Sequence, residues 1–143
     1  MSKIQNQKRR VLIVTSDAGF GHRRSAESVK KALINQYGEQ VDVLVANPIT
    51  ETNKALFLKS VEKSYNLGVK NTPGLYRLGY QLSDNRQISD VMDGALTLAL
   101  TASLHEVIKD FQPHAILNTN EMFNSAVGAA LDLLKMHMPY FTV

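Results

Sequence analysis

Short apolar runs and helix-like apolar spacings alternate along the first third of the sequence. The run VLIVTS (11–16), rich in β-branched residues, predicts a strand that is buried on both faces. A helix is predicted to follow to about Tyr37, because Gly38 favours a left-handed helix end. The run VDVLVA (41–46) predicts a second strand, and strand, helix and strand within ~36 residues are typical of a βαβ unit in a parallel sheet. The inner side of the helix is predicted to carry Ala26, Val29, Leu33 and Tyr37.

Helical spacing dominates the middle of the chain. A helix is predicted over 53–68, and the Pro73-Gly74 pair starts a second, short helix. A long helix is then predicted from about Arg86 to Asp110. Its inner side is predicted to carry Ile88, Val91, Met92, Ala95, Ala99, Ala102 and Val107.

The carboxyl-terminal part returns to the first pattern. HAILNT (114–119) predicts a third strand, Asn120 is placed to cap a helix over about 122–136, and YFTV after Pro139 predicts a fourth strand. The inner side of that helix is predicted to carry Ala126, Ala129, Ala130, Leu133 and Leu134. The whole alternation predicts an α/β fold, a Rossmann-like parallel sheet with helices on both faces.

Composition and charge add few constraints to this architecture. The 143 residues suit one domain, and 44% hydrophobic residues can form a core. Residues 1–10 predict a basic polar arm, and 11–143 predict one Rossmann-like domain. A net charge of +3 is too small to indicate a nucleic-acid partner. Without a cysteine, a signal peptide or an apolar run of ~20 residues, we expect a cytoplasmic chain that does not span a membrane.

The fourth predicted strand is the last element of the sequence. In open parallel sheets, ligands bind beyond the carboxyl ends of the strands, so a chain that stops in a strand lacks the loop that would follow. We therefore expect the chain to be a piece of a longer protein, with a complete small protein as the alternative.

The segment SDAGFGHRRSAES (16–28) lies between the first strand and its helix. Backbone N–H groups and the helix dipole favour an anion there, and Gly19 and Gly21 permit a positive φ and a close approach of a ligand to the backbone. The segment is not a dinucleotide fingerprint, because Arg24 stands where the third glycine would be. No Gly-Lys-Ser/Thr follows, so it is not a Walker-type phosphate loop either. A tight turn into a helix remains the alternative.

His22 is the candidate for chemistry in this segment. A neutral imidazole can accept a proton at pH 7, and Asp17 could orient the ring or counterbalance a developing positive charge. Helix capping or simple surface exposure is the alternative for His22. The other three histidines are predicted to be structural or solvated, because their spacing fits no metal site: His105, His114 and His137.

The same segment, extended to SDAGFGHRRSAESVKKAL (16–33), resembles the start of monogalactosyldiacylglycerol synthases and the related bacterial diacylglycerol glucosyltransferases. Their pattern there is close to S-D-x-G-x-G-H-x-x-S-A-x-x-[IV]. KSYNLGVKNTPGLYRLGY (63–80) and FQPHAILNTN (111–120) are also similar to that family. The residues in register with the first motif are Ser16, Asp17, Gly19, Gly21, His22, Ser25, Ala26 and Val29.

The resemblance implies the amino-terminal half of a GT-B glycosyltransferase, which binds the acceptor lipid and lacks the donor domain. It implies an inverting transfer of a hexose from a UDP-sugar to diacylglycerol, with His22 as the base, Asp17 beside it, and no metal or other cofactor. Two positions depart from the family: Asn120-Glu121 stand where His-Pro is frequent, and Phe20 stands where a small residue is frequent. The implied substrate- and phosphate-binding residues are Gly19, Phe20, Gly21, Ser25, Asn120 and Glu121.

The resemblance also favours a peripheral position on an anionic membrane surface. Apolar and basic residues are mixed in 63–80, which suits an interfacial role, with ordinary core packing as the alternative. The residues expected to contact membrane or acceptor are Lys63, Lys70, Leu75, Tyr76, Arg77 and Tyr80.

Two other functions fit the same residues. One is a module that binds an anionic lipid or a nucleotide without chemistry. The other is a related transferase that acts on a polyprenyl-linked acceptor. The sequence leaves the choice of sugar and the oligomeric state open.

Overall fold

A four-stranded parallel sheet organises the protein. The structure, a computed structural model, describes residues 8–18, 20–50 and 86–143. Within these ranges the strands have the spatial order β2-β1-β3-β4, and every neighbouring pair is parallel. The strands are β1 (Arg9–Val14), β2 (Val41–Ala46), β3 (Ala115–Asn118) and β4 (Tyr140–Thr142).

Helices cover both faces of this sheet. One face packs against α1 (Phe20–Tyr37), where Ile13, Val43 and the helical Ala26 form a small buried cluster. The other face packs against α2 (Arg86–Phe111) and α3 (Asn124–Leu134) through a larger cluster. That cluster includes Leu12, Val14, Leu100, Leu104, Ile108, Ile116, Phe123, Ala126 and Val127. The predicted α/β architecture, with helices on both faces, is therefore confirmed.

The first strand begins and ends two residues earlier than its apolar run predicts. Arg9 and Arg10 pair with Val41 and Asp42 of β2, so they belong to the sheet and not to a preceding arm. The Arg10 N–H also donates to His114 Nδ1 at 3.0 Å, which gives this histidine a structural role. Pairing with a neighbour, more than hydrophobicity, decides where a strand starts.

The predicted inner sides of α2 and α3 are confirmed in part. In α2 the predicted Ala99 and Val107 are partly buried against the core, but the fully buried apolar residues are Leu100, Leu104 and Ile108, at successive intervals of four, and Ala102 is exposed. In α3 the predicted Ala126 and Ala130 are buried and Leu134 packs against the core. Leu133, however, is 68% exposed, and Val127 is buried in addition. Both helices are rich in alanine and leucine, so several apolar stripes are available, and packing against the sheet selects one.

Other predicted boundaries need smaller adjustments. The third strand spans four residues rather than 114–119, and the predicted helix over 122–136 is divided into a 3₁₀ turn (Glu121–Phe123) and α3. Gly38 has the positive φ, 52°, that its predicted place at the end of α1 requires. The helix predicted over 53–68 and the short helix after Pro73 lie outside the described residues. No helix among those described is long and apolar enough to cross a membrane.

The observed orientation of α2 can be tested with two leucines from the same helix. Leu104 is fully buried and Leu98 is 73% exposed. Leu104→Ala is expected to lower the free energy of unfolding by about 2–5 kcal/mol, because it removes buried methyl groups and leaves a cavity. Leu98→Ala is expected to change it by no more than about 0.5 kcal/mol. Urea unfolding monitored by circular dichroism measures both, and equal effects would contradict the assigned inner side.

Candidate functional site

Buried polar side chains gather where β1, β2 and β3 end. Because the three strands are parallel, their carboxyl ends lie along one edge of the sheet, which we call the carboxyl edge. In the described part of the chain, every buried side-chain nitrogen and oxygen has a hydrogen-bond partner. The buried polar residues that follow the strands, or end them, are Thr15, Ser16, Asn47, Asn118, Thr119 and Asn120.

The strand order places a crevice at one point of this edge. From β1 the chain continues through α1 to β2 on one side, and later returns through α2 to β3 on the other side. In doubly wound sheets, ligands bind at the point where the connections diverge in this way, outside the carboxyl ends of the two strands. The ends of β1 and β3 are therefore the place where a ligand site is expected.

His22 lies at this point, in the first turn of α1. Its Nδ1 is 2.5 Å from the main-chain carbonyl oxygen of Thr119, directly after β3. A carbonyl oxygen only accepts hydrogen bonds, so Nδ1 carries the proton in the neutral ring. The lone pair then belongs to Nε2, which is the nitrogen that can accept a proton from a ligand.

Asp17 takes part in a different arrangement from the one predicted. Arg23 donates to its carboxylate through Nε (2.7 Å) and Nη2 (3.1 Å), and Asn47 Nδ2 donates at 2.9 Å. The Asn47 amide oxygen in turn accepts the N–H of Ile49 at 3.0 Å, which ties the loop after β1 to the loop after β2. The contact that orients the His22 ring in the structure is therefore the one with the Thr119 carbonyl oxygen, while a role of Asp17 in balancing a developing positive charge stays a prediction.

The electrostatics of this group favour the ionised carboxylate. The hydrogen bonds from Arg23 are the largest influence and hold the pKa of Asp17 below its ordinary value of 3.8. Burial opposes this lowering, while the Asn47 hydrogen bond adds to it. The pair is partly open to solvent, with 35% of the Arg23 side chain and 42% of the Asp17 side chain exposed.

Asn120 braces the ends of β1 and β3. Its Nδ2 donates to Ser16 Oγ at 2.8 Å, and its Oδ1 accepts the N–H of Met122 at 3.1 Å. The predicted capping role is thus confirmed, but the element capped is the 3₁₀ turn that leads into α3. Participation of Asn120 in ligand binding stays a prediction.

A second polar cluster joins β3, α3 and β4 behind this brace. Asn118 Nδ2 donates to Asn124 Oδ1 at 2.7 Å, and the same oxygen accepts from the Tyr140 hydroxyl and, at 3.0 Å, from Thr142. Asn118 Nδ2 also donates to the main-chain carbonyl oxygen of Asn120, and Asn118 Oδ1 accepts the Asn120 N–H. The loop after β3 is therefore held from both sides.

Three of the predicted ligand-binding residues are exposed at or near the carboxyl edge: Gly21, Ser25 and Glu121. Gly21 is helical and has no positive φ, so the predicted need for one does not apply to it. A Cβ built on Gly21 meets nothing within 4 Å, which leaves its backbone open to close approach. Gly19 and the side chain of Phe20 lie outside the described residues.

The residues proposed for membrane or acceptor contact also lie outside the described ranges: Lys63, Lys70, Leu75, Tyr76, Arg77 and Tyr80. In the described part of the chain, no three histidine or acidic side chains are grouped so as to hold a metal ion.

Sequence reasoning missed four residues that build the site: Thr15, Arg23, Asn47 and Thr119. Thr15, Asn47 and Thr119 directly follow β1, β2 and β3. Polar residues directly after several parallel strands are a usable signal, because those positions share one edge of the sheet. No comparable pattern points to Arg23, whose partner is known only from the fold.

Comparisons with known proteins give one family. The family described as monogalactosyldiacylglycerol (MGDG) synthase matches residues 22–140, so the match begins at His22. The chain is 30% identical over 114 residues to the chloroplastic monogalactosyldiacylglycerol synthase of Spinacia oleracea, covering 80% of this chain and 22% of that protein. No solved structure matches.

Two further relatives agree. Identity is 27% over 114 residues with a probable chloroplastic monogalactosyldiacylglycerol synthase of Nicotiana tabacum, covering 80% of this chain and 21% of the relative. Identity is 25% over 117 residues with chloroplastic monogalactosyldiacylglycerol synthase 1 of Arabidopsis thaliana, covering 82% of this chain and 22% of that protein. The chain thus spans about a fifth of the length of these curated relatives.

The Asp17 arrangement predicts a defined pH dependence of stability. A carboxyl whose pKa is lower in the folded state stabilises the fold above its unfolded pKa, and this stabilisation is lost as pH falls through the folded pKa. Asp17→Asn is therefore expected to lower the urea midpoint at pH 7, and the difference from the parent should shrink at pH values below 3.8.

Asp42→Asn is the matched control, because it removes the same charge from an exposed position in β2. It is expected to show a smaller and flatter difference over the same pH series. An Asp17→Asn variant that is as stable as the parent at pH 7, or equally impaired at every pH, would contradict the assignment.

Proposed function

Because the chain belongs to the monogalactosyldiacylglycerol synthase family, we propose that it is the acceptor-side domain of a glycosyltransferase. In this proposal the full enzyme moves a hexose from a UDP-sugar to the free hydroxyl of diacylglycerol. The family match over 22–140 is the observation that carries the proposal. Since diacylglycerol resides in a bilayer, the enzyme works at a membrane surface.

His22 Nε2 is the proposed general base. The Thr119 carbonyl occupies Nδ1, so Nε2 carries the lone pair that can accept the proton of the acceptor hydroxyl. The deprotonated oxygen attacks the anomeric carbon from the side opposite the UDP leaving group, and the configuration at that carbon inverts. The base and the leaving diphosphate therefore lie on opposite sides of the reacting sugar.

The leaving diphosphate needs stabilisation of its negative charge. The start of α1 offers main-chain N–H groups and the positive end of the helix dipole, and its first turn holds no acidic residue. The open space over Gly21 allows a phosphate oxygen to approach the main chain. Arg24 is exposed in the same part of α1, and its positive charge also stabilises the leaving diphosphate.

A direct product assay tests the proposal. The full-length protein that carries this chain is incubated with vesicles containing dioleoylglycerol and with UDP-galactose or UDP-glucose, and lipids are analysed by mass spectrometry. A monohexosyl diacylglycerol is the expected product. A product formed only on a polyprenyl-linked acceptor assigns the enzyme to another substrate class, and UDP or vesicle binding without any product indicates a binding module.

Removal of the base is expected to lower turnover strongly. His22→Ala in the full-length enzyme should reduce kcat by about a hundredfold or more, which is the usual contribution of general base catalysis. His137→Ala, which changes an exposed histidine after α3, should leave kcat within about twofold of the parent value. A His22→Ala enzyme within a few-fold of the parent would refute the proposed base.

Gly21 gives a prediction in which stability and activity move in opposite directions. Gly21→Ala places a methyl group in open space within a helix, so it should raise the free energy of unfolding by about 0.5–1 kcal/mol. The same methyl group blocks the approach of the diphosphate, so KM for the UDP-sugar should rise at least about tenfold.

Gly128→Ala is the matched control. Gly128 is an exposed glycine in α3, and a Cβ there also meets nothing within 4 Å. This variant should gain similar stability while KM stays unchanged. If the two glycine variants had the same KM for the UDP-sugar, the diphosphate would not bind at this part of α1.

A further inference from the structure

We propose that Thr119 is a positioning residue that selects the reactive nitrogen of His22, and that Thr15 supports it. The inference deepens the proposed role of His22 as a base and rests on it. Thr119 does not belong to the motif around the histidine, because it follows β3, far away along the chain, and Thr15 directly precedes that motif.

Thr119 contacts His22 at two points. Its carbonyl oxygen accepts from the ring Nδ1, and its hydroxyl Oγ1 lies 3.3 Å from the main-chain carbonyl oxygen of His22. The first contact is with the ring of His22, and the second is with its main chain. Together they define both the place and the rotation of the imidazole relative to the end of β3.

Thr119 is itself held by the end of β1. Its N–H donates to the carbonyl oxygen of Val14 at 3.0 Å, and its hydroxyl lies 3.0 Å from Thr15 Oγ1 and 3.3 Å from the Val14 carbonyl oxygen. Thr119 is 4% exposed and Thr15 is fully buried, so water does not compete for these contacts. The position of the Thr119 peptide group is therefore set by the protein.

The consequence is a single tautomer. An imidazole in water exchanges its proton between two nitrogens, whereas an imidazole whose Nδ1 faces a fixed carbonyl keeps the proton there. The lone pair then stays on Nε2, and a base with the wrong tautomer could not accept the proton of the acceptor. Without the hydroxyl, Thr119 loses its side-chain contacts to Thr15 and to the His22 main chain, so its carbonyl oxygen is held less firmly and this selection weakens.

The test uses ¹⁵N chemical shifts of His22 in the 143-residue chain at a pH where the ring is neutral. The expected spectrum of the parent shows Nδ1 protonated and Nε2 unprotonated. Thr119→Val, which keeps the side-chain shape but removes the hydroxyl, is expected to show a mixture of tautomers. Thr119→Ser, which keeps the hydroxyl, is expected to restore the parent spectrum, and Thr15→Val is expected to have a smaller effect in the direction of Thr119→Val.

Thr101→Val is the control for the loss of a buried threonine hydroxyl. Its hydroxyl donates to the Thr97 carbonyl oxygen within α2, which packs on the other face of the sheet from α1, so the tautomer of His22 should not change. In the full-length enzyme, Thr119→Val should lower kcat at least about tenfold with KM within about twofold, since binding groups are untouched.

The outcomes separate this inference from the proposed function. A parent spectrum with Nε2 protonated, or a Thr119→Val spectrum identical to the parent's, overturns the positioning role whatever the enzyme does. If the spectra are as expected but the His22→Ala enzyme keeps the kcat of the parent, the positioning role of Thr119 stands and the role of His22 as base is overturned. If Thr119→Val fails to fold, the parent spectrum can still overturn the inference, and Thr15→Val still tests the hydroxyl contact.

Discussion

The register between β1 and β3 is the constraint on which the candidate site depends. Val14 pairs with Asn118, and the ladder continues one residue further because the Thr119 N–H donates to the Val14 carbonyl. Side chains alternate between the faces of a sheet, so Ile13 and Leu117 face α1. By the same alternation Thr15 and Thr119 turn towards α1, which carries His22. A slip of one residue would turn Thr119 to the other face and remove its hydroxyl contacts with Thr15 and His22.

This register also explains the dense hydrogen bonding at the carboxyl edge. Polar groups buried there would each cost roughly 1–3 kcal/mol if left unpaired. Thr15 meets Thr119 and Ser16 meets Asn120 across the two strands, so groups that would be costly alone satisfy one another. The same pairing resists displacement of the loop after β3, and this makes the Thr119 carbonyl a fixed reference for the histidine ring.

The sequence predicts the architecture well and the site in part. Apolar runs and helical spacing identify all four described strands and the three helices, because periodicity records which side of an element is buried. Periodicity decides the inner sides of α2 and α3 only in part, since Ala102 and Leu133 are apolar residues like those in the core but lie outside it. Likewise His22 stands out through its motif, whereas Thr119 and Asn47 gain their roles only from strands that meet in space.

The length of α2 determines how far the described chain extends beyond the carboxyl edge. The Ser103 hydroxyl donates to the Pro48 carbonyl at 2.5 Å, so Ser103 lies level with the carboxyl edge. The helix continues back from there to Arg86, a distance of about 25 Å at roughly 1.5 Å per residue. Thr50 lies at the carboxyl edge, where its N–H donates to the carbonyl oxygen of Asn47, and Arg86 lies beyond the same edge. Both of these ends of the described ranges are therefore on the side of the sheet where β1 ends and His22 lies, and neither is at the opposite, amino edge.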